Sequence, residues 1–215
     1  MKSALFNKIR GLIKKSIEDP SFFTSNAVGI MRGTCYLIYY NYLRSNIKIG
    51  FPFIVHAKVR IIGPGTVSLG KGCRVIKNAF KGLTIITLST NAKVVIGDKC
   101  FLGGITIRSF GTVEIGDKTM TAISLIQDSF IINYDKLNDK TKQRLPASKR
   151  ISIGMNVWLA EGSFVMNDTT IGDDSVLSSG SWCHDAAYHD YVLIMGNPAR
   201  SAIPIEKLLR LKGEL

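Results

Sequence analysis

The sequence predicts an all-β fold, a left-handed parallel β-helix of hexapeptide repeats, with an N-terminal helical extension and a short C-terminal helix. Three observations lead to this prediction. Aliphatic residues recur at a period of six over residues 153–182. The same pattern returns less regularly between residues 69 and 126. Residues 1–50 follow a helical spacing instead.

Five successive hexapeptides run from residue 153 to residue 182. Their first positions are aliphatic, namely Ile153, Leu159, Val165, Ile171 and Leu177. Their fifth positions are small or β-branched, namely Val157, Ser163, Thr169, Ser175 and Ser181. Neither a helix nor an ordinary strand repeats every six residues, whereas a short strand followed by a tight corner does. Three such faces close one triangular coil of about 18 residues, and stacked coils bury a continuous core.

Earlier hexapeptides begin at Leu69, Ile96 and Ile115, each followed by glycine. Cys73 and Cys100 stand at fifth positions, so we expect both thiols in the coil interior. Leu69 and Ile96 are 27 residues apart, which predicts an irregular turn within residues 77–91. Residues 133–150 are polar and basic and interrupt the repeat, which predicts an extended loop.

The repeats divide the chain into three parts. Residues 1–50 form the helical extension, residues 51–205 the β-helix with its loop at 133–150, and residues 206–215 the C-terminal helix. The extension begins with aliphatic residues at helical spacing: Leu5, Ile9, Leu12, Ile13 and Ile17. Pro20 ends that pattern, and a second helix is expected over residues 25–43. A basic amphipathic helix packs on its own domain or lies on an anionic membrane, and both remain open.

Composition limits the classes of function. The formal net charge of +12 favours an anionic partner, although a solvated basic face accounts for it too. No recognised nucleic-acid motif accompanies the charge, so we expect no nucleic-acid binding. Four cysteines without a Cys-x-x-Cys pair indicate reduced thiols and no metal site. No run of about 20 apolar residues and no signal-peptide core are present, which predicts a cytoplasmic location.

Two further segments narrow the choice among proteins with such repeats. Ile153-Gly-Met-Asn-Val-Trp-Leu-Ala follows the interruption, and Gly196-Asn-Pro-Ala-Arg200 follows the last repeat. In both, and over residues 50–205, the chain resembles the hexapeptide-repeat acetyltransferases, in the branch with galactoside, maltose and polysaccharide O-acetyltransferases. The resemblance implies a homotrimer with coils over residues 54–203, acetyl-CoA as the acyl donor, and active sites between neighbouring chains.

The resemblance also implies residues along the path of acetyl-CoA. These are Trp158, Ser179 and Arg200, and a planar guanidinium suits phosphate. Each has a simpler interpretation as well. Trp158 would cover a coil edge, Ser179 would be a corner residue, and Arg200 would be one more surface cation.

The chain departs from the family where the catalytic base is expected. Relatives carry a histidine just before the loop, and an imidazole that titrates near neutral pH suits proton removal from a hydroxyl. Residues 126–135 contain no histidine here. His184 is the first alternative base, with a donor to CoA as its rival role. Asp128 is the second alternative, as a weaker base or a group that orients the acceptor, and a cap of a turn is its simpler role.

The function that the resemblance implies is an acetyl-CoA-dependent O-acetyltransferase. Its acceptor would be a saccharide of a surface polysaccharide or glycolipid, and the enzyme would be cytoplasmic or peripheral at the inner membrane face. A protein that kept the fold and lost its base would instead be a catalytically silent scaffold or regulatory protein. Turnover separates these two alternatives, whereas acetyl-CoA binding does not.

Overall fold

The computed structural model describes residues 20–77, 82–128 and 150–207. Helix α1 (Pro20–Leu43) precedes 21 strands that form three sheets, called A, B and C below. Sheet A contains β1 (Ile47–Ile49), β4 (Thr66–Leu69), β7 (Lys93–Ile96), β10 (Thr112–Ile115), β13 (Arg150–Ile153), β16 (Thr170–Ile171) and β19 (Ala187–Tyr188). Sheet B contains β2 (Ile54–Val55), β5 (Arg74–Ile76), β8 (Phe101–Gly103), β11 (Met120–Ala122), β14 (Trp158–Leu159), β17 (Val176–Leu177), β20 (Val192–Gly196) and β21 (Ala199–Pro204). Sheet C contains β3 (Val59–Ile62), β6 (Leu83–Thr87), β9 (Thr106–Ser109), β12 (Leu125–Gln127), β15 (Phe164–Met166) and β18 (Trp182–His184).

The chain visits sheets A, B and C in turn, so three consecutive strands make one coil. Each strand pairs in parallel with its counterparts one coil before and one coil after, and among the described strands only β20 and β21 pair antiparallel. Alternate side chains point inward and stack into one aliphatic core, which includes Leu83, Ile107, Ile126, Ile151 and Leu159. The predicted all-β fold, a parallel β-helix of stacked coils, is therefore confirmed.

The fifth position of each repeat holds a short side chain because it lies against the next coil. Cys73 Sγ donates to Gly97 O at 3.2 Å, and Thr119 Oγ1 donates to Gly154 O at 3.0 Å. Ser175 Oγ donates to His189 O at 3.2 Å in the same way. The predicted interior position of Cys73 holds, and Cys100 is also fully buried.

The corner from sheet A to sheet B explains the glycine that follows the aliphatic residue. A Cβ on Gly97 would lie 2.3 Å from Asp117 Oδ1 and 2.7 Å from its backbone nitrogen, both in the next coil. Asp98, Asp117, Asp173 and Asp190 each accept a hydrogen bond at this corner from a backbone N–H one coil earlier. His189 takes the glycine position in the last coil, where its side chain is exposed.

Helix α1 covers the N-terminal end of the stack, and its contacts satisfy the first strands. Asn41 bonds the backbone N and O of Ile49 at 2.8 and 3.0 Å, as a neighbouring strand would. Tyr40 OH accepts from Ile61 N at 3.0 Å. A Cβ on Gly33 would lie 1.7 Å from Phe53 O, so the helix backbone lies directly on the first coil. These contacts protect strand edges that would otherwise pair with other chains.

The boundaries differ from the prediction at both ends. The first coil begins with β1 at Ile47, inside the predicted extension of residues 1–50, and α1 begins at Pro20 rather than near residue 25. At the other end β21 folds back on β20, and helical structure is described only for residues 205–207. The expected helices over residues 1–19 and 208–215, and the loop over residues 133–149, lie outside the described residues. Across the residues that are described, no helix is long and apolar enough to cross a membrane.

Candidate functional site

His184 lies at the end of β18, at the corner where the chain passes from sheet C to sheet A. Its Nδ1 is 3.1 Å from Oδ2 of Asp185, and both side chains are partly exposed. The indole ring of Trp182 lies against the imidazole, with ring centroids 4.8 Å apart. When Nδ1–H donates to this carboxylate, Nε2 carries the lone pair, and the adjacent indole limits rotation of the imidazole.

Asp128 lies at the same type of corner two coils earlier, and its carboxylate is fully buried. It accepts hydrogen bonds from Ser109 Oγ at 2.9 Å, Phe110 N at 2.7 Å and Gly111 N at 2.7 Å. Burial raises the pKa of Asp128 above its ordinary value, and these three donors counteract that rise. The carboxylate thus holds the preceding coil's corner in place.

Trp158 projects from the outer face of sheet B, where half of its surface is exposed. It is in register with Met120 one coil earlier, and Met120 is in register with Phe101. All three side chains are exposed, so they form a continuous apolar column, called the sheet B column below. A contiguous apolar surface of this kind marks a site for a ligand or another chain.

Ser179 and Arg200 extend this side of the molecule toward the C-terminal end. Ser179 is exposed in the turn from β17 to β18, beside Gly180, which has a φ of +69°. Arg200 is exposed on β21, the strand that continues sheet B beyond β20. The structure therefore places Trp158, Ser179 and Arg200 on sheet B and its following corner, in three successive coils.

The two groups of predicted residues do not meet within one chain. His184 and Asp128 lie at the corner from sheet C to sheet A. Of the three predicted CoA contacts, Trp158 and Arg200 lie on sheet B, and Ser179 lies in the turn from sheet B to sheet C. The sequence reasoning missed Asp185 and Trp182, although both are within two positions of His184. It also missed Asn167 at this corner, a buried residue whose Oδ1 has no hydrogen-bond partner.

The other two histidines have structural surroundings. His56 lies beneath Gly29 of α1, where an added Cβ would meet its ring at 2.6 Å. Burial lowers the pKa of His56, and the charges of Arg74 and Arg32 lower it further. His189 is the exposed corner residue of the last coil. Among residues 20–77, 82–128 and 150–207, no group of His, Cys, Asp and Glu side chains could hold a metal ion.

Comparison with solved structures identifies the same arrangement of coils elsewhere. AntD, an N-acyltransferase from Bacillus cereus in complex with dTDP and 3-hydroxybutyryl-CoA, matches with a TM-score of 0.54 and 18% sequence identity, over 81% of this chain and 92% of AntD. The chain shares the fold of AntD. A variant of AntD in complex with dTDP-4-amino-4,6-dideoxyglucose and coenzyme A matches with a TM-score of 0.53 and 18% identity, over 78% and 90% of the two chains.

These likenesses concern the fold, and they agree with the left-handed β-helix predicted from the hexapeptide repeats. No protein-family model matches the sequence, and no curated protein matches it.

Proposed function

We propose that the protein is an acetyl-CoA-dependent O-acetyltransferase whose acceptor is a saccharide of a surface polysaccharide or glycolipid. The oriented pair of His184 and Asp185 carries the proposal, because it supplies a base that the usual position lacks. The shared fold supports it, since AntD is an N-acyltransferase whose complexes hold CoA together with dTDP or a dTDP-linked amino sugar. The proposed location is the cytoplasm, at the inner face of a membrane.

In the proposed reaction, Nε2 of His184 takes the proton of the acceptor hydroxyl while the oxygen attacks the thioester carbonyl. The Asp185 carboxylate stabilises the imidazolium that forms. Collapse of the tetrahedral intermediate breaks the carbon–sulfur bond, and the imidazolium returns its proton to the departing CoA thiolate. The products are an acetyl ester and CoA. Asp128 is assigned a capping role, because its two oxygens already accept three hydrogen bonds.

We further propose that acetyl-CoA lies along sheet B, between two chains of a homotrimer. Trp158 would contact the pantetheine arm, Ser179 would bond it at the corner, and Arg200 would bind a phosphate. The exposed sheet B column supports this arrangement, because a second chain and the cofactor together would cover it. A neighbouring chain would also bring its sheet B to the His184 corner, which one chain alone does not do.

The test is release of free CoA from acetyl-CoA in the presence of a panel of saccharides, with wild-type protein and with His184→Gln and Asp185→Asn. We expect His184→Gln to lower kcat by about 10²–10⁴-fold with KM for acetyl-CoA unchanged, since a base acts only in the transition state. Asp185→Asn should lower kcat less. Asp128→Asn should lower thermal stability and leave the ratio of kcat to KM unchanged in protein that remains folded.

Binding is measured separately, by Trp158 fluorescence on addition of CoA in a Trp182→Phe background. Arg200→Ala should weaken the affinity for CoA without changing kcat. If His184→Gln raises KM for acetyl-CoA and leaves kcat intact, His184 is a binding residue and the base lies elsewhere. If acetyl-CoA binds but is transferred to no saccharide, and neither His184→Gln nor Asp185→Asn alters that background, the silent-scaffold alternative replaces the enzyme.

A further inference from the structure

Helix α1 carries apolar side chains on the face opposite its packed face. Gly33 and Tyr40 belong to the packed face and are buried against the first coil. The opposite face is exposed and repeats at spacings of three and four residues. Its members are Val28, Met31, Cys35, Ile38 and Tyr42, called the outer stripe below. At about 100° per residue these positions cluster on one line of the helix, roughly 180° from Gly33.

The outer stripe is too apolar and too exposed for an ordinary solvated face. Met31 is 63% exposed and Tyr42 is 80% exposed. Leu43, the last residue of the helix, and Phe51, which follows β1, are exposed as well. A helix that is apolar on two opposite faces is normally buried on both of them. The first coil covers one face, so the outer stripe requires a second covering surface.

The charge distribution shows what kind of surface that is. Residues 20–97 contain ten lysines and arginines and no aspartate or glutamate. Residues 98–215 contain thirteen lysines and arginines and fourteen aspartates and glutamates, so they are nearly neutral. The acid-free stretch comprises α1 and the coils nearest to it. The net positive charge of the protein is therefore concentrated at the end that presents the outer stripe.

We infer that the outer stripe docks on an anionic lipid surface, with α1 lying in the plane of the interface. Apolar side chains enter the acyl boundary, and cationic side chains beside them meet the lipid headgroups. Arg32 on α1 and Lys48 just beyond it are exposed in positions to do so. Tyrosines such as Tyr42 are favoured at this depth, because the ring is apolar and the hydroxyl remains hydrated.

A groove beside the end of α1 suits one of these headgroups. It has a volume of about 340 Å³ and lies along the outer side of sheet A. Two lysines, Lys48 and Lys93, and the hydroxyls of Ser45 and Ser68 are among its lining groups. Ammonium and hydroxyl donors around a groove bind phosphate oxygens, and the groove begins at Ser45, two residues beyond the end of α1.

A second copy of the chain is a poorer occupant of the outer stripe. Helices that pair through positions spaced by three and four residues use opposite charges beside the seam to select their partner. Helix α1 contains no acidic residue, and none occurs between it and Asp98. Two such ends would therefore face each other with like charge. A lipid surface of negative charge offers both the apolar and the electrostatic complement.

The arrangement of several helices on one surface rests on the proposed trimer, whereas docking of a single chain does not. In a ring with cyclic symmetry, all chains point the same way along the axis. Three outer stripes would then face one surface together, and their binding would be strengthened by avidity.

The experiment is flotation of the full-length protein with vesicles of phosphatidylcholine containing phosphatidylglycerol, and with vesicles of phosphatidylcholine alone. Wild-type protein should float with the anionic vesicles and be released by high salt. Met31→Glu combined with Ile38→Glu should lower the partition coefficient at least about tenfold, because both apolar contact and charge attraction are lost. The matched control is Met155→Glu, an exposed methionine in a distant coil, which should float like the wild type.

Two flotation results would overturn the inference: no flotation of the wild-type protein, and equal flotation of the Met31→Glu/Ile38→Glu protein. A change of oligomeric state in that variant by sedimentation would overturn it too, because the outer stripe would then join copies of the chain. So would flotation that appears only after residues 1–19 are deleted, because those residues would then cover the outer stripe. Acetyl transfer to a soluble saccharide should be unchanged in the variant. Vesicle binding by a protein without transferase activity would overturn the proposed function and leave this inference intact.

Discussion

Replacing Gly33 with alanine tests whether α1 lies directly on the first coil. In an exposed helix, glycine to alanine stabilises by about 1 kcal/mol, because alanine has the higher helix propensity. Here the new Cβ would lie 1.7 Å from Phe53 O. Non-bonded contact needs roughly 3.5 Å, so the helix must retreat by about 2 Å. The structure therefore predicts that the substitution destabilises the protein.

The magnitude follows from the hydrogen bonds that the retreat would break. The three shortest hydrogen bonds between α1 and the first coil are the two between Asn41 and Ile49 and the one from Ile61 N to Tyr40 OH. Each contributes about 1 kcal/mol net. Their loss, offset by about 1 kcal/mol of helix propensity, leaves Gly33→Ala about 2 kcal/mol less stable. For a chain of this length that lowers Tm by about 4–8 °C.

Thermal unfolding followed by far-UV circular dichroism measures the change, and near-UV signals report the surroundings of the buried Tyr40. Ser25→Ala is the control, since Ser25 is an exposed residue of the same helix and alanine should raise stability there by a few tenths of a kcal/mol. A rise of Tm in Gly33→Ala would show that α1 does not pack on Phe53 as described. The outer stripe would then no longer be defined as the face opposite the packed one.

Two further predictions concern the corners of the coils. Gly97→Ala should destabilise the protein by more than about 2 kcal/mol, because the new Cβ meets Asp117 in the next coil. Gly180→Ala should destabilise it by about 1 kcal/mol, because that Cβ would have open space and the only cost is an unfavourable φ of +69°. Urea denaturation of both variants checks the order, which would be reversed if the coils were loosely stacked. Lys71→Asp should stabilise the first corner by about 1 kcal/mol through a new bond from the Phe51 N–H, and it should weaken flotation with anionic vesicles. Unchanged flotation in that variant would show that the exposed corner of Lys71 does not face the vesicle surface.

The fold could be predicted because each repeat reports its own geometry. An aliphatic residue, a glycine and a short fifth side chain encode an inward face, a crowded corner and a contact with the next coil. The first coil was not predicted from the repeat, because the large residue Phe53 occupies its fifth position. Helix α1, rather than another coil, lies beneath the backbone of Phe53. The first coil is therefore covered by a helix on one side, and the repeat pattern does not encode that contact.

The candidate site was less accessible from sequence, because its contacts join residues one coil apart. Asp128 was interpreted as a base or a cap, and the partners that favour a cap are Ser109, Phe110 and Gly111. Those residues lie about one coil earlier, so the register of the repeats contains this information. The pairing of His184 with Asp185 depends instead on how two adjacent side chains turn at a corner, which the repeat does not specify.

The absence of acid at the N-terminal end is not a by-product of the repeat, because the repeat itself favours aspartate at the corner from sheet A to sheet B. Asp98, Asp117, Asp173 and Asp190 each accept a backbone N–H from the preceding coil. The second coil has Lys71 at the equivalent position, so it offers no carboxylate to the N–H of Phe51 in the first coil. A corner hydrogen bond of about 1 kcal/mol is forgone there. Met155 forgoes the same bond in a coil where acidic residues are common, so the positive charge of Lys71, rather than the missing aspartate, is what agrees with an anionic surface facing this end.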